Sequence, residues 1–126
     1  MVKNNYRDLE VWQKAMDLVE LCYAYTKSFP SEERYGLTDQ IRRAAVSIPS
    51  NIAEGQARQH KKEFIQFLSI AQGSLAELET QVQIAERLHY IDSDNMQEML
   101  KKSDQVARMI TGLRKSIQQP ETNSQT

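Results

Sequence analysis

The sequence predicts an all-α protein, an antiparallel up-down-up-down bundle of four helices with a bend in the second. Three observations predict it. Apolar residues recur at spacings of three and four through most of the chain, the period of an amphipathic helix. Only four Gly and three Pro occur in 126 residues, and no run is rich in β-branched residues, as in helical proteins. The connections between the periodic stretches are short, which sets consecutive helices side by side in opposite directions.

The length fits one domain. Residues 1–117 form the bundle, and the polar run 118–126 is expected to be disordered. Charged residues make up 26% of the chain and nearly cancel, at a net −1. That argues against a protein that coats nucleic acid over its whole surface, while leaving room for a local basic patch. The N-terminus has no apolar core of a signal peptide. No apolar run approaches the roughly 20 residues needed to cross a bilayer. The expected location is cytoplasmic, with no membrane partner.

The first helix is expected from about Asp8 to Ser28. Leu9, Trp12, Met16, Val19 and Tyr23 form one stripe, with Val11, Ala15, Leu18 and Cys22 beside it. The combined face is wider than one bundle partner requires. Either the helix is deeply inserted, or it has a second partner from another subunit. Cys22, the only cysteine, lies among these positions and reads as a buried, inert thiol. The helix ends at Phe29-Pro30, because the residue before proline avoids helical dihedrals. Residues 30–36 connect onward, with Gly36 as hinge and one short helical turn at Ser31–Arg34.

The second helix, Leu37 to Gly55, organises the chain. Leu37, Ile41, Ala44, Ala45, Ile48 and Ile52 share an apolar face, while Arg43, Ser47, Ser50, Asn51 and Glu54 share a polar one. Pro49 removes one backbone donor and should bend the helix, leaving the Ala45 carbonyl without its usual partner. Ser47, Ser50 and Asn51 have no histidine at a suitable turn to activate a nucleophile. They are expected to bond backbone carbonyls near Pro49 or to meet a neighbouring subunit.

The third helix is expected from Lys61 to about His89, a rod of roughly 40 Å at 1.5 Å per residue. Phe64, Leu68, Ala71, Leu75, Leu78, Val82 and Ala85 form an unbroken heptad seam. Gly73 sits inside it at a cost of about 1 kcal/mol relative to Ala, and a closely approaching neighbour is the expected compensation. Ser93 is the expected N-cap of the fourth helix, with Asp94 in its first turn and the end near Ile117. Met96, Met99, Ser103, Val106, Ile110, Leu113 and Ile117 form its seam.

Glu86-Arg-Leu-His89 has the Glu-x-x-His spacing of di-iron bundles. Such sites need two of these pairs and a Glu from each of two other helices, so an exposed helix end is the better reading. No catalytic residue, metal site or cofactor is predicted, and the chain is not expected to be an enzyme. Counting outward from the turn near residue 58, Arg43 or Arg42 should pair with Glu77, within or between subunits.

Folding the helices back on one another polarises the bundle. One end collects Lys3, Arg7, Arg58, Lys61, Lys62, Arg114 and Lys115, with His60. The other collects Glu32, Glu33, Asp39, Asp92 and Asp94 against Lys27 and Arg34. The basic end is a candidate surface for phosphate backbone.

Several motifs also carry a family resemblance. They are Tyr6-Arg7-Asp8-Leu9 with Trp12, the run Gln40 to Gly55 that contains Ile-Pro-Ser-Asn-Ile-Ala-Glu-Gly, then Phe64, Phe67-Leu68, Ile70-Ala71, Gly73-Ser74-Leu75 and Glu77-Leu78-Glu79-Thr80. Together they resemble the four-helix-bundle proteins encoded within 23S rRNA intervening sequences, over about residues 6–115. The resemblance implies a ring-shaped homopentamer. It also implies distant kinship to the accessory protein of diversity-generating retroelements, which partners a reverse transcriptase and binds nucleic acid. The expected function is therefore a non-catalytic oligomeric binding or scaffolding module. RNA, DNA or a nucleic-acid enzyme is its expected partner at the basic end. The alternative is a structural or protein-binding oligomer with no nucleic-acid role.

Overall fold

The computed structural model describes residues 5–119. Its helices are α1 (Glu10–Thr26), α2 (Leu37–Arg58), α3 (Lys61–Arg87) and α4 (Ser93–Gln118), and the described residues contain no strand. The expected all-α four-helix bundle is what the chain forms. Lys3 and all of the predicted tail beyond Gln119 lie outside the described residues.

A single 3-10 turn at Tyr6–Asp8 precedes α1, capped by the Asn5 side chain, which accepts from the Arg7 N–H. Leu9 is extended, so α1 begins at Glu10 rather than Asp8. Of the two apolar stripes expected side by side on α1, one is buried and the other is only partly covered. Val11, Ala15, Leu18, Cys22 and Thr26 are buried, whereas Met16 and Tyr23 remain 37% and 40% exposed. Thr26 is tolerated in the core because its hydroxyl donates to the Cys22 carbonyl at 2.7 Å, satisfying a group that would otherwise be costly to bury.

The predicted short turn between the first two helices is present at Ser31–Glu33. It serves as a cap: the Glu33 carboxylate accepts from the Leu37 N–H at 2.9 Å, one of the orphan donors at the start of α2. The second helix runs past the expected stop at Gly55 and closes at Gln59, which takes the left-handed conformation at φ 61. Gly55 is instead needed for packing, since its bare backbone lies against Phe64 and Phe67.

The seam of α3 is filled as expected, with Leu68, Ala71, Leu75, Leu78, Val82 and Ala85 all buried. Burial of a side chain the size of Leu or Val contributes roughly 1.5–3 kcal/mol. The helix ends at Arg87 because His89 turns left-handed at φ 65. The His89 N–H then donates to the Glu86 carbonyl and the Tyr90 N–H to the Ala85 carbonyl, the paired bonds that close many helices. The cap of α4 is Asp92, not Ser93: its carboxylate accepts from the Asn95 N–H at 2.7 Å.

The two connections 27–36 and 88–92 meet at one end of the molecule. Phe29 and Tyr90 pack there with ring centres 5.5 Å apart and planes tilted by 49°, and the Tyr90 hydroxyl donates to Glu33 at 2.9 Å. At the other end, the turn between α2 and α3 meets the last turn of α4 around a cavity bordered by His60, Lys61, Phe64 and Ile117. No helix among the described residues is long and apolar enough to cross a membrane.

Candidate functional site

The end of the bundle that the sequence marked as basic is built on the turn from α2 to α3. Arg58 ends α2, and Lys61 and Lys62 begin α3; all three are exposed. Arg58 is engaged locally. Its guanidinium lies 3.1 Å from Glu54 and 3.8 Å from Glu63, and it covers the Phe67 ring at 5.0 Å. Two carboxylates beside it offset much of its field, while Lys61 and Lys62 keep theirs. Arg7 is exposed and stacks over Tyr6 at 4.8 Å.

Arg114 departs from the expected cluster. A helical side chain leans toward its own N-terminus, and Arg114 accordingly reaches back along α3, donating to the Gln72 side-chain oxygen at 2.6 Å. Its Nε is buried without a hydrogen-bond partner. Arg114 thus belongs to the α3–α4 flank rather than the turn. Lys115 is exposed beside Gly112 and Gln119. Of the six expected cations that lie among the described residues, the fold joins Arg58, Lys61 and Lys62 through one turn and puts Arg114 on a flank.

The polar side of α2 resolves into separate devices. Asn51 donates to the Ser47 carbonyl at 2.8 Å and to the Ser47 hydroxyl at 2.9 Å. The Ser47 hydroxyl shares a 2.8 Å hydrogen bond with Ser74 of α3. This links the two helices through a half-buried polar chain, and the bonded carbonyl is that of Ser47, not Ala45. Pro49 is buried, whereas Ser50 borders a cavity between α1 and α2. Ser74 was missed in the sequence, because a lone serine on an apolar seam carries no signal of its partner.

The expected pairing of Arg43 or Arg42 with Glu77 does not form within the chain. Arg43 instead lies 2.9 Å from Asp39, one turn back on its own helix. Arg42 donates to the Thr26 hydroxyl at 2.9 Å and covers the Tyr23 ring at 4.4 Å. Glu77 accepts from Gln81 at 3.3 Å, and Glu79 accepts from Ser103 at 2.6 Å. The Arg43–Asp39 pair is short-range and exposed, the kind that contributes under about 1 kcal/mol.

The partly covered stripe of α1 creates the other surface feature. Trp12, Met16 and Val19 of α1 face Val46, Pro49 and Ala53 of α2 across an apolar cavity of about 300 Å³. Val46 is 40% exposed. Among the described residues none is the close neighbour expected for Gly73: a Cβ there would meet nothing within 4 Å.

Nucleophilic and metal chemistry have little to draw on among the described residues. Burial pushes the Cys22 thiol up to about 12, so the thiolate needed for reactivity is absent near neutrality. No group of three or more His, Cys, Asp or Glu among the described residues could hold a metal ion. His89 takes the left-handed conformation that ends α3, and its backbone N–H donates to the Glu86 carbonyl.

A sequence model described as 23S rRNA-intervening sequence protein matches residues 7–112. No curated protein matches the chain. Among solved structures, a protein of unknown function from the S23 ribosomal protein family of Bacteroides thetaiotaomicron is similar. It has a TM-score of 0.75 at 22% identity, covering 83% of this chain and 98% of that one. At that identity the likeness concerns the fold.

Proposed function

This chain belongs to the 23S rRNA-intervening sequence protein family, and we propose that it is a non-catalytic, self-associating bundle that acts as a binding or scaffolding module. The observation that carries this reading is the uncovered apolar face shared by α1 and α2. Met16, Tyr23 and Val46 are each more than a third exposed and border two adjoining pockets of that face. Clustered exposed apolar side chains on a small domain mark an interaction surface. A ring of five copies, implied by the family resemblance, is the assembly this face would serve. Multi-angle light scattering across a concentration series tests it. A mass of several chains is expected, and a monomer at every concentration removes the reading.

A second reading assigns the partner. Lys61 and Lys62 are exposed at the start of α3, and repetition of this pair around an assembly would give a multivalent surface for RNA or DNA phosphates. The same end could engage a nucleic-acid enzyme. Electrophoretic titration with structured RNA at two salt concentrations tests it. Wild-type protein should shift the RNA at low salt, and a Lys61→Glu, Lys62→Glu double variant should not. Equal binding by the two would leave the structural or protein-binding oligomer as the function. Pull-down after nuclease treatment then identifies that case, because a protein partner survives the treatment.

A further inference from the structure

We infer that the outer stripe of α3, centred on Glu77, is the surface that the α1–α2 groove of a second copy of this chain receives. The inference rests on the self-association proposed above and specifies which surface meets which. Helix α3 carries two heptad seams. One is the buried seam through Leu68, Leu75 and Val82. The other runs through Ile70, Glu77 and Ile84, also seven residues apart, a spacing that keeps a stripe aligned with a partner helix. Ile70 and Ile84 are 50% and 42% exposed. Between Ile70 and Glu77 stands Gly73, and a Cβ there would meet nothing within 4 Å. Gly inside a helix is unfavourable, and the described residues place nothing in the space it opens.

The two surfaces are complementary in charge. Glu77 stands between two exposed isoleucines, and its carboxylate accepts from the Gln81 amide at 3.3 Å, a neutral partner that leaves its charge uncompensated. Arg43 stands at the edge of the α1–α2 face with its side chain 79% exposed and 2.9 Å from Asp39; the pocket it borders with Tyr23 and Val46 also holds Arg42, so two cations there face one carboxylate. The stripe from Ile70 to Ile84 spans about 21 Å and the α1 row from Trp12 to Tyr23 about 16.5 Å, so the stripe covers the whole row with nearly one turn to spare. A groove-on-groove contact about a two-fold axis would leave the α3 stripe in water. Joining groove to stripe covers both, and because the surfaces differ the contact is head-to-tail.

A mixing experiment tests the inference. Val46→Glu obstructs the groove and Ile70→Glu obstructs the stripe; both positions are exposed, and circular dichroism checks that each variant folds. Each variant alone should be monomeric by light scattering. Mixed in equal amounts they should form a dimer and stop there, because each retains one working surface. If wild type assembles while the mixture stays monomeric, or while Ile70→Glu assembles as wild type does, the inference is overturned and self-association stands. A monomeric wild type overturns both. A charge exchange gives a second readout. Arg43→Glu and Glu77→Arg should each weaken assembly about tenfold, and the double variant should recover it. A double variant no better than the worse single one counts against the pairing of these surfaces.

Discussion

Gly55 of α2 lies so close to Phe67 of α3 that a Cβ at position 55 would stand 2.7 Å from the Phe67 Cβ and 3.0 Å from Cδ1 of Phe64. Helices α2 and α3 are joined only by Gln59 and His60. So short a link forces their ends together, and the bare backbone at position 55 makes room for both phenylalanines.

Gly55→Ala and Gly73→Ala should therefore shift stability in opposite directions. Both exchanges gain about 1 kcal/mol of helix propensity. At position 55 the new methyl must displace the Phe67 stem or the helix backbone, an overpacking cost of about 1–3 kcal/mol. At position 73 the methyl enters open space. Urea unfolding in dilute solution should show a lowered midpoint for Gly55→Ala and a raised one for Gly73→Ala. A stabilised Gly55→Ala would show that the contact relaxes without cost.

The chain Asn51–Ser47–Ser74 should behave as one unit. Ser47→Ala removes the hydroxyl that bonds both Asn51 and Ser74, at a cost of about 1 kcal/mol. Ser74→Ala removes one of the same bonds. The double variant should then cost less than the sum of the singles, with a coupling of about 0.5 kcal/mol or more. Strict additivity in urea unfolding would mean that water replaces the shared bond.

The end of the molecule at Glu33 and Tyr90 should respond to pH on both sides of neutrality. The Leu37 N–H, and after it the Tyr90 hydroxyl, hold the Glu33 carboxyl below its ordinary range, with burial opposing. A depressed folded-state pKa contributes stability that is present above the unfolded value and is lost as pH falls through the folded one. For Glu33 that loss begins below about pH 4.3, the ordinary glutamate value. The bond to Glu33, with burial second, raises Tyr90 above its ordinary value of 10.0, so its contribution is full below that value and is lost as pH rises past it. Urea midpoints measured against pH should flatten on the acid side for Glu33→Gln and on the alkaline side for Tyr90→Phe. Profiles parallel to wild type would show that this hydrogen bond is not maintained in solution.

Much of the bundle was legible because heptad seams report burial directly. Leu68, Leu75 and Val82 announce a core helix whatever lies opposite. What was not legible depends on the partner across a gap. The sequence shows Gly55 and Gly73 alike, but only the fold places Phe67 against one and nothing against the other. Both rows of α1 are apolar, and the side on which α2 and α4 pack decided which was buried. Asp92 and Ser93 can both cap a helix; the extended backbone at Asp92 selected it. Arg43 found Asp39 one turn away before any distant carboxylate, since a local ion pair orders less chain. Ile70, Glu77 and Ile84 were readable at their seven-residue spacing, but an exposed heptad has no meaning until the buried one beside it is assigned.

Arg114 separates charge at the turn from charge on the flank. Its guanidinium donates to Gln72 at 2.6 Å, and Gln72 donates in turn to Thr111 at 3.1 Å. Arg114→Ala should therefore loosen the α3–α4 packing by about 1 kcal/mol, read as a lower urea midpoint. Its effect on RNA retention should be small, because the side chain points back along α3 and away from Lys61 and Lys62. Every phosphate that the protein no longer neutralises should reduce the slope of log affinity against log salt by about 0.9. The Lys61→Glu, Lys62→Glu variant should lower that slope, whereas Arg114→Ala should leave it unchanged. A reduced slope for Arg114→Ala would extend the anion-binding surface onto the flank and require Arg114 to leave Gln72 when RNA binds.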